Sequence, residues 1–453
     1  MPTTHDPRPN LVFILTDDQR FDALGCAGNP IIQTPHLDAL AASGTRFTNA
    51  FATTPICAAS RASLFTGLYE RTHRMTFGTP PLADRFVDMS YPVLLREAGY
   101  RTGFSGKFGI SVHPGAEDRM FDDFVPMTQP PYFQPGPDGR MRHLTDLEGD
   151  AALAFLDTVP AGTPFCLSLS FNAPHADDQD PLQYFWQAEC DGLYEEDTIP
   201  VPATMTDDIF LAQPDFLRNS ESRVRFNWRF DEPEMYQRMV KGYYRMITGI
   251  DRVVGRIRQD LDRRGLAENT VIVFMSDNGY FLGERGFADK WYMYEYSLRV
   301  PLIVCDPRIH NQPATVDAMA LNVDIAATLL DFAGVGPAPL QQGRSLVPLI
   351  RGRDAGGFRE DFLCEHLFEH PGIPKSEGVR TGRMTYFRWI GQDHDAEELY
   401  DHVADFDEIR NLVGDPGCRE AKATLLRRME TLLEQCGRAR DEALSADRRI
   451  PPD

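Results

Sequence analysis

The sequence of 453 residues lacks long apolar runs and a secretory leader. No apolar stretch approaches the about 20 residues that a membrane-spanning helix needs, so we expect no membrane span. The first residues, MPTTHDPRPN, have no apolar segment of the kind that directs secretion. We therefore expect a cytoplasmic protein as given, or a periplasmic or secreted one if a signal was removed.

Cysteine and positive charge are also scarce. The eight cysteines show no C-x-x-C spacing, which predicts mostly reduced thiols rather than a disulfide framework. Lysine and arginine number 46 against 67 acidic residues, which gives a formal net charge of −21. Nucleic-acid binding needs a basic face, so this charge argues against nucleic-acid partners. A small anionic ligand stays compatible if a few basic residues converge in one cleft.

Four apolar runs that stop at polar residues predict buried parallel strands: Leu11–Leu15, Tyr100–Ser105, Phe165–Phe171 and Val271–Met275. Helical spacing of apolar residues predicts helices over Tyr243–Arg264, ended by Gly265, and over Val323–Phe332. This alternation favours a doubly wound α/β domain, whose ligands bind at the carboxyl ends of the strands.

The composition shifts at Arg351–Gly357, which predicts a linker. We place a large α/β domain at 1–355 and a smaller α+β domain at 356–453. Within the smaller domain, Gly378–Trp389 is typical of a strand and Arg419–Gly437 of an amphipathic helix.

Two pairs of residues with carboxylate or carboxamide oxygens follow predicted strands. Asp17-Asp18 follows the first strand and Asp277-Asn278 follows the last. Each pair alone is more typical of a turn or a helix cap. Their matching placement favours a shared site of hard oxygen ligands, which suits Ca²⁺ or Mg²⁺.

Cys57 stands just ahead of a short helical pattern, Ser60–Thr66, that Gly67 closes. A helix N-terminus attracts anions, and Arg61 adds a planar fork that fits a tetrahedral oxyanion. A buried structural thiol beside a surface arginine is the alternative. Three further basic residues follow strands and together would form a positive cleft, although each alone is more typical of the surface: Lys107, His175 and Lys290.

These segments resemble a type I (formylglycine-dependent) sulfatase of the alkaline phosphatase superfamily over nearly the whole chain. The resemblance rests on PNLVFILTDDQR, CAASRASLFTG, GYRTGFSGK, FNAPH, VIVFMSDNGYFLGERGFADKWYMYEYSLRVPLI and EELYDHVADFDEIRNL. It implies an alkaline-phosphatase-like α/β domain with a central, mostly parallel sheet flanked by helices. A smaller C-terminal domain with an antiparallel sheet would complete the substrate pocket.

The resemblance also implies the chemistry. Cys57 would be oxidised to formylglycine by a formylglycine-generating enzyme, and its hydrate would be the nucleophile. A divalent cation would be held by modified Cys57 with Asp17, Asp18, Asp277 and Asn278. This cation is usually calcium in the family, and magnesium is the alternative. Arg61 would stabilise the modified side chain. Lys107, His175 and Lys290 would bind the sulfate, and a cationic His175 or Lys290 would protonate the leaving group.

Several positions depart from the family pattern. Ala59 replaces the usual proline, which bears on maturation, and Arg285 stands where histidine is frequent. Gly109 stands where many members have a sulfate-binding histidine, for which His113 is a weak substitute; we expect Gly109 to open space beside Lys107. His175 is followed by Ala176-Asp177, without the proline that often lies two residues on.

The leading interpretation is a sulfuric ester hydrolase acting on a sulfated sugar, or next on an aryl or alkyl sulfate. The second is a phosphodiesterase or phosphonate monoester hydrolase that shares the nucleophile and metal ligands. A non-catalytic binder of sulfated ligands is the third, and the intact Cys57 and Arg61 argue against it. We expect Asp177–Glu234 and the C-terminal domain to line the pocket beyond the sulfate.

Overall fold

The computed structural model describes residues 8–310, 312, 314–353, 357–392 and 396–445. The strands are β1 (Asn10–Thr16), β2 (Thr45–Phe47), β3 (Ala50–Phe51), β4 (Arg101–Gly106), β5 (Asp123–Pro126), β6 (Phe133–Pro135), β7 (Met141–His143), β8 (Phe165–Ser170), β9 (Thr270–Ser276), β10 (Phe281–Leu282), β11 (Ala288–Asp289), β12 (Leu302–Cys305), β13 (Thr315–Val316), β14 (Ala320–Leu321), β15 (Asp361–His366), β16 (Lys375–Thr381), β17 (Met384–Ile390) and β18 (Glu397–Asp401).

The α-helices are α1 (Pro35–Ser43), α2 (Cys57–Thr66), α3 (Glu70–His73), α4 (Asp84–Asp88), α5 (Tyr91–Glu97), α6 (Ala116–Met120), α7 (Leu144–Thr158), α8 (Asp207–Leu211), α9 (Asp215–Arg218), α10 (Glu221–Arg229), α11 (Pro233–Arg263), α12 (Glu295–Leu298), α13 (Asp324–Phe332), α14 (Val347–Ile350) and α15 (Arg419–Ser445).

An eight-stranded sheet organises the large domain in the order β13-β2-β12-β9-β1-β8-β4-β5. Only β12 runs antiparallel to its neighbours. Successive residues of β1 enter opposite cores: Leu11 and Phe13 pack on one face of the sheet, and Val12 and Ile14 on the other. Burial on both faces explains why the central strands are continuously apolar.

The four predicted strands are the four adjacent central strands β9, β1, β8 and β4, all parallel. Helices α1, α7 and α11 cover one face, while α2, α5 and α13 cover the other. The predicted α/β class is confirmed. None of the helices in the described ranges is long and apolar enough to cross a membrane.

The smaller C-terminal part is an antiparallel sheet, β15-β16-β17-β18, with α15 packed against it. Gly378–Trp389 is therefore not one strand, as we expected, but most of a hairpin formed by β16 and β17. Residues 354–356, where we place the domain boundary, lie outside the described residues, as do residues 1–7. The boundary stays a prediction.

Two helices begin earlier than the apolar spacing predicts. Helix α11 starts at Pro233, whose fixed backbone suits a first helical turn, and it continues through the predicted Tyr243–Arg264 segment. Helix α2 starts at Cys57 rather than Ser60. All eight cysteines are free thiols, as their spacing predicts.

Candidate active site

The parallel strands bring the predicted polar residues to one edge of the sheet. Thr16 of β1 pairs with Ser276 of β9, so the residues that follow each strand are neighbours. Lys107 directly follows β4, and a short turn carries β8 to His175. Residues distant in the sequence therefore converge because adjacent parallel strands end together.

Three carboxylates form the centre of the site. One oxygen each from Asp17, Asp18 and Asp277 can be chosen so that all lie within 4.8 Å of one another. Two buried oxygens, Asp17 Oδ1 and Asn278 Oδ1, have no hydrogen-bond partner. Buried acceptors without a donor are costly, so two unpartnered oxygens in a carboxylate cluster fit a hard divalent cation.

The carboxylates differ in pKa. Burial, strengthened by the charge of Asp17, raises the pKa of Asp277 to about 7. Burial also raises the pKa of Asp18 to about 7, although Lys290 opposes it. Burial would raise the pKa of Asp17 as well, but Lys107, His175 and Arg61 lower it below its usual range. Their mutual repulsion is the pattern that a bound cation relieves.

Cys57 is the first residue of α2, where helix amides are free to face an anion. Its sulfur, an Asp17 oxygen and a His175 nitrogen lie within 4.8 Å of one another. Burial and then Asp17 raise the pKa of the Cys57 thiol to about 12. An unmodified thiol here would stay protonated, and the thiol form is a poor nucleophile.

Arg61 is buried and spans the site. Its Nε donates to Asp277 Oδ2 at 2.8 Å, and Nη2 donates to Asp17 Oδ2 at 3.2 Å. Its Nη1 donates to the backbone oxygen of Lys107 at 2.6 Å and to Ser170 Oγ. Arg61 therefore holds the ends of four strands in register.

Two lysines flank the carboxylates. Lys107 donates to Asp17 Oδ2, and Lys290 donates to both oxygens of Asp18 at 2.6 and 2.7 Å. Burial would lower the pKa of each ammonium group, but the paired aspartates raise it. Both lysines are therefore positively charged at neutral pH.

His175 differs from our expectation. Its Nε2 lies 3.7 Å from Asp18 Oδ2, and its Nδ1 lies 2.6 Å from the backbone oxygen of Ala176. Burial, and then the charge of Lys290, lower the pKa of His175 to about 4. The low pKa favours a neutral imidazole at neutral pH, which differs from the cationic His175 that we expected, whereas Lys290 carries a positive charge.

Gly109 also differs from our expectation of open space. A Cβ at this position would lie 2.5 Å from Cδ of Arg61, and the backbone has φ of +70°. Arg61 fills the place that a side chain would need. His113 is exposed, unlike the residues of the site.

Arg285 lies away from the carboxylates and links the two parts of the chain. It donates to the backbone oxygen of Glu408 and to Gln213 Oε1 at 3.0 Å. Its guanidinium lies over the Tyr294 ring, 4.4 Å from the centroid.

Four charged residues at the site were missed by the sequence analysis: Asp178, Arg225, Arg229 and Asp289. The arginines lie on α10, within the 177–234 segment that shows no motif, and both contact Asp289 beside Lys290. Their spacing of four residues, which places them on one helix face, was the available signal.

A buried carboxylate cluster beside a helix-terminal cysteine and two buried lysines is the arrangement expected of a metal-dependent hydrolase of tetrahedral anionic esters. Residues 9–335 match the Sulfatase family model, and residues 283–435 match that of the C-terminal region of N-sulphoglucosamine sulphohydrolase. The chain belongs to the sulfatase family. It is a sulfatase, and a divalent metal and formylglycine are features of that family.

The chain is also similar to individual relatives and to solved structures. The chain is 27% identical to N-acetylglucosamine-6-O-sulfatase of Bacteroides thetaiotaomicron, covering 94% of this chain and 87% of the relative. The solved structure of a protein in complex with its substrate, D-glucosamine-2-N,6-O-disulfate, matches this chain with a TM-score of 0.81 and 26% identity. The match covers 95% of this chain and 98% of that protein. Phosphonate monoester hydrolase from Silicibacter pomeroyi has TM-score 0.79 and 26% identity, covering 97% of each chain.

Proposed function

We propose that this sulfatase removes sulfate from a sulfated sugar, using Ca²⁺ and a formylglycine made from Cys57. The observation that carries the proposal is the placement of Cys57 at a helix N-terminus, beside the carboxylate cluster and two lysines. The N-acetylglucosamine-6-O-sulfatase relative and the structure with bound D-glucosamine-2-N,6-O-disulfate favour a sugar as the substrate class.

The charges of the site suit an anionic substrate. Five carboxylates are paired with five permanent cations: Asp17, Asp18, Asp178, Asp277 and Asp289 with Arg61, Lys107, Arg225, Arg229 and Lys290. A bound divalent cation would leave an excess of positive charge, which would attract a sulfate ester despite the acidic chain.

Each residue has a proposed task. When present, the cation and the formylglycine would supply a Lewis acid and a nucleophilic hydroxyl. Arg61 would orient residue 57 through its bonds to Asp17 and Asp277. Lys107 and Lys290 would bind the sulfate oxygens, and Lys290 would donate a proton to the departing alcohol. Neutral His175 would contact the ester as a hydrogen-bonding group.

The oxygen ligands support Ca²⁺ over softer metals, because carboxylate and amide oxygens are the ligands that calcium prefers. Magnesium is the alternative, and calorimetric titration of the metal-free protein with each ion distinguishes them. We expect tighter binding of Ca²⁺, because this buried cluster leaves little room for the waters that Mg²⁺ retains.

A second candidate is phosphonate monoester or phosphodiester hydrolysis, because the phosphonate monoester hydrolase shares the fold over 97% of the chain.

The experiment that tests the proposed sugar substrate is sulfate release from N-acetylglucosamine-6-sulfate, 4-nitrophenyl sulfate and an alkyl sulfate by purified, calcium-loaded protein with residue 57 modified. We expect the sulfated sugar to give the highest kcat/KM. A preference for the aryl or alkyl ester would contradict the sugar assignment.

A further inference from the structure

Two arginines of α10 join the loops that carry His175 and Lys290. Arg225 Nη1 donates to Asp178 Oδ2 and to Asp289 Oδ2, each at 2.6 Å. Arg229 donates to Asp289 Oδ2 at 3.0 Å and also to Asp178. Asp178 lies three residues after His175, and Asp289 directly precedes Lys290. We call Arg225, Arg229, Asp178 and Asp289 the α10 clamp.

The clamp lies beside the site, with two members buried and two, Arg225 and Asp178, partly exposed. The side chain of Arg229 is fully buried, and that of Asp289 is 2% exposed. Removing either partner of such a pair leaves an uncompensated buried charge, so the four residues hold one another in place. Arg229 Nε is also fixed by Gln183 Oε1 at 2.7 Å.

The backbone around Lys290 is held in an unusual conformation. Asp289 has φ of +76° and Trp291 has φ of +86°, so two non-glycine residues in the left-handed region flank the lysine. Such conformations are unfavourable for residues with a side chain and persist only where the surroundings fix them. The strain and the clamp coincide at Asp289, whose Oδ1 lies 3.3 Å from Lys290 Nζ.

We infer that the α10 clamp is a positioning device that aims Lys290 at the alcohol oxygen leaving the sulfate ester. The inference rests on the proposed function. Arg225, Arg229 and Asp289 are positioning residues, because they act through Lys290 rather than on the substrate. The proton moves from Lys290 Nζ to the ester oxygen as the S–O bond breaks, and water later restores it.

The leaving group distinguishes this role from a structural one. A sugar alcohol or a weakly acidic phenol leaves as a costly anion unless it is protonated, whereas an acidic phenol such as 4-nitrophenol leaves without help. A misplaced Lys290 therefore slows poor leaving groups far more than good ones. A loss of folded protein lowers all rates equally.

The test uses aryl sulfates whose phenols span a wide pKa range, with calcium-loaded, modified protein. We expect Arg225→Gln and Asp289→Asn to lower kcat by about 10²-fold for the least acidic phenol and by less than about threefold for 4-nitrophenol. KM should change little, and Arg225→Lys should recover part of the loss. The control is Arg223→Gln on the same helix, because Arg223 packs on Phe210 and Phe226 and donates to the backbone oxygen of Gly286 at 3.3 Å, outside the clamp.

A second measurement does not depend on activity. Lys290, with a side chain 3% exposed, should be acetylated slowly by an N-hydroxysuccinimide ester in the wild type. Asp289→Asn should raise its labelling, read by peptide mass spectrometry, at least fivefold, while Arg223→Gln should not. Unchanged labelling, or an equal loss of kcat for all phenols, would overturn the clamp. A wild type inactive on every sulfate would instead overturn the proposed function, and the labelling result would still decide the clamp.

Discussion

Replacement of Gly109 by alanine should disturb the site through Arg61. A Cβ at Gly109 would lie 2.5 Å from Arg61 Cδ, and Arg61 cannot move without weakening its bonds to Asp277 and Asp17. The left-handed backbone adds about 1–2 kcal/mol for a residue with a side chain. Overpacking adds about 1–3 kcal/mol. We expect Gly109→Ala to lower the free energy of unfolding by about 2–5 kcal/mol.

Activity should fall as well, by about 10²-fold in kcat, as for the loss of one charged donor. The matched control is Gly115→Ala, because Gly115 has φ of +83° and nothing within 4 Å of its added Cβ. The control carries the backbone cost alone, about 1–2 kcal/mol, with kcat unchanged. Urea unfolding and steady-state kinetics measure both variants. Equal stability and equal kcat for the two would refute the contact with Arg61.

Three further predictions concern the remaining parts of the site. Peptide mass spectrometry should find Cys57, alone among the cysteines, as formylglycine, with a thiol–aldehyde mixture in a foreign host because of Ala59; a fully active protein with only the thiol would contradict this. Three variants that each remove a carboxylate ligand should lose bound cation and nearly all turnover: Asp17→Ala, Asp18→Ala and Asp277→Ala. Asn278→Ala should retain more bound cation than these variants, measured by elemental analysis. Lys107→Ala should lower sulfatase kcat about 10²-fold, because it removes one charged donor to the sulfate oxygens, and a change below threefold would refute that role.

The metal half of the site could be predicted because it depends on strand ends. Asp17 and Asp277 follow short apolar runs that are typical of a parallel sheet covered on both faces, and adjacent strands bring them together. The start of helix α2 at Cys57 was harder to predict from the sequence, because alanines and serines give little hydrophobic periodicity. Cys57 was predicted to lie just ahead of the helix, and it is the first residue of the helix.

The missed features depend on tertiary contacts. The lowered pKa of His175 results from its burial and from the charge of Lys290, and no local sequence pattern reveals either one. The contact between Gly109 and Arg61 joins α2 to the loop after β4. Arg225 and Arg229 lie in a segment of short helices, where apolar periodicity is too brief to predict an element. Pairing across such distances becomes visible only in the folded chain.

The most direct test of the central claim compares matched esters on one preparation. The protein is supplied with Ca²⁺, its residue 57 is verified as formylglycine, and kcat/KM is measured for sulfate monoesters and for phosphodiesters of the same alcohols. We expect a higher kcat/KM for the sulfate monoesters, because Lys107 and Lys290 would bind the sulfate oxygens and Arg61 fills the space beside Gly109 that a second ester arm would need. A phosphodiester hydrolysed faster than every sulfate tested would contradict it.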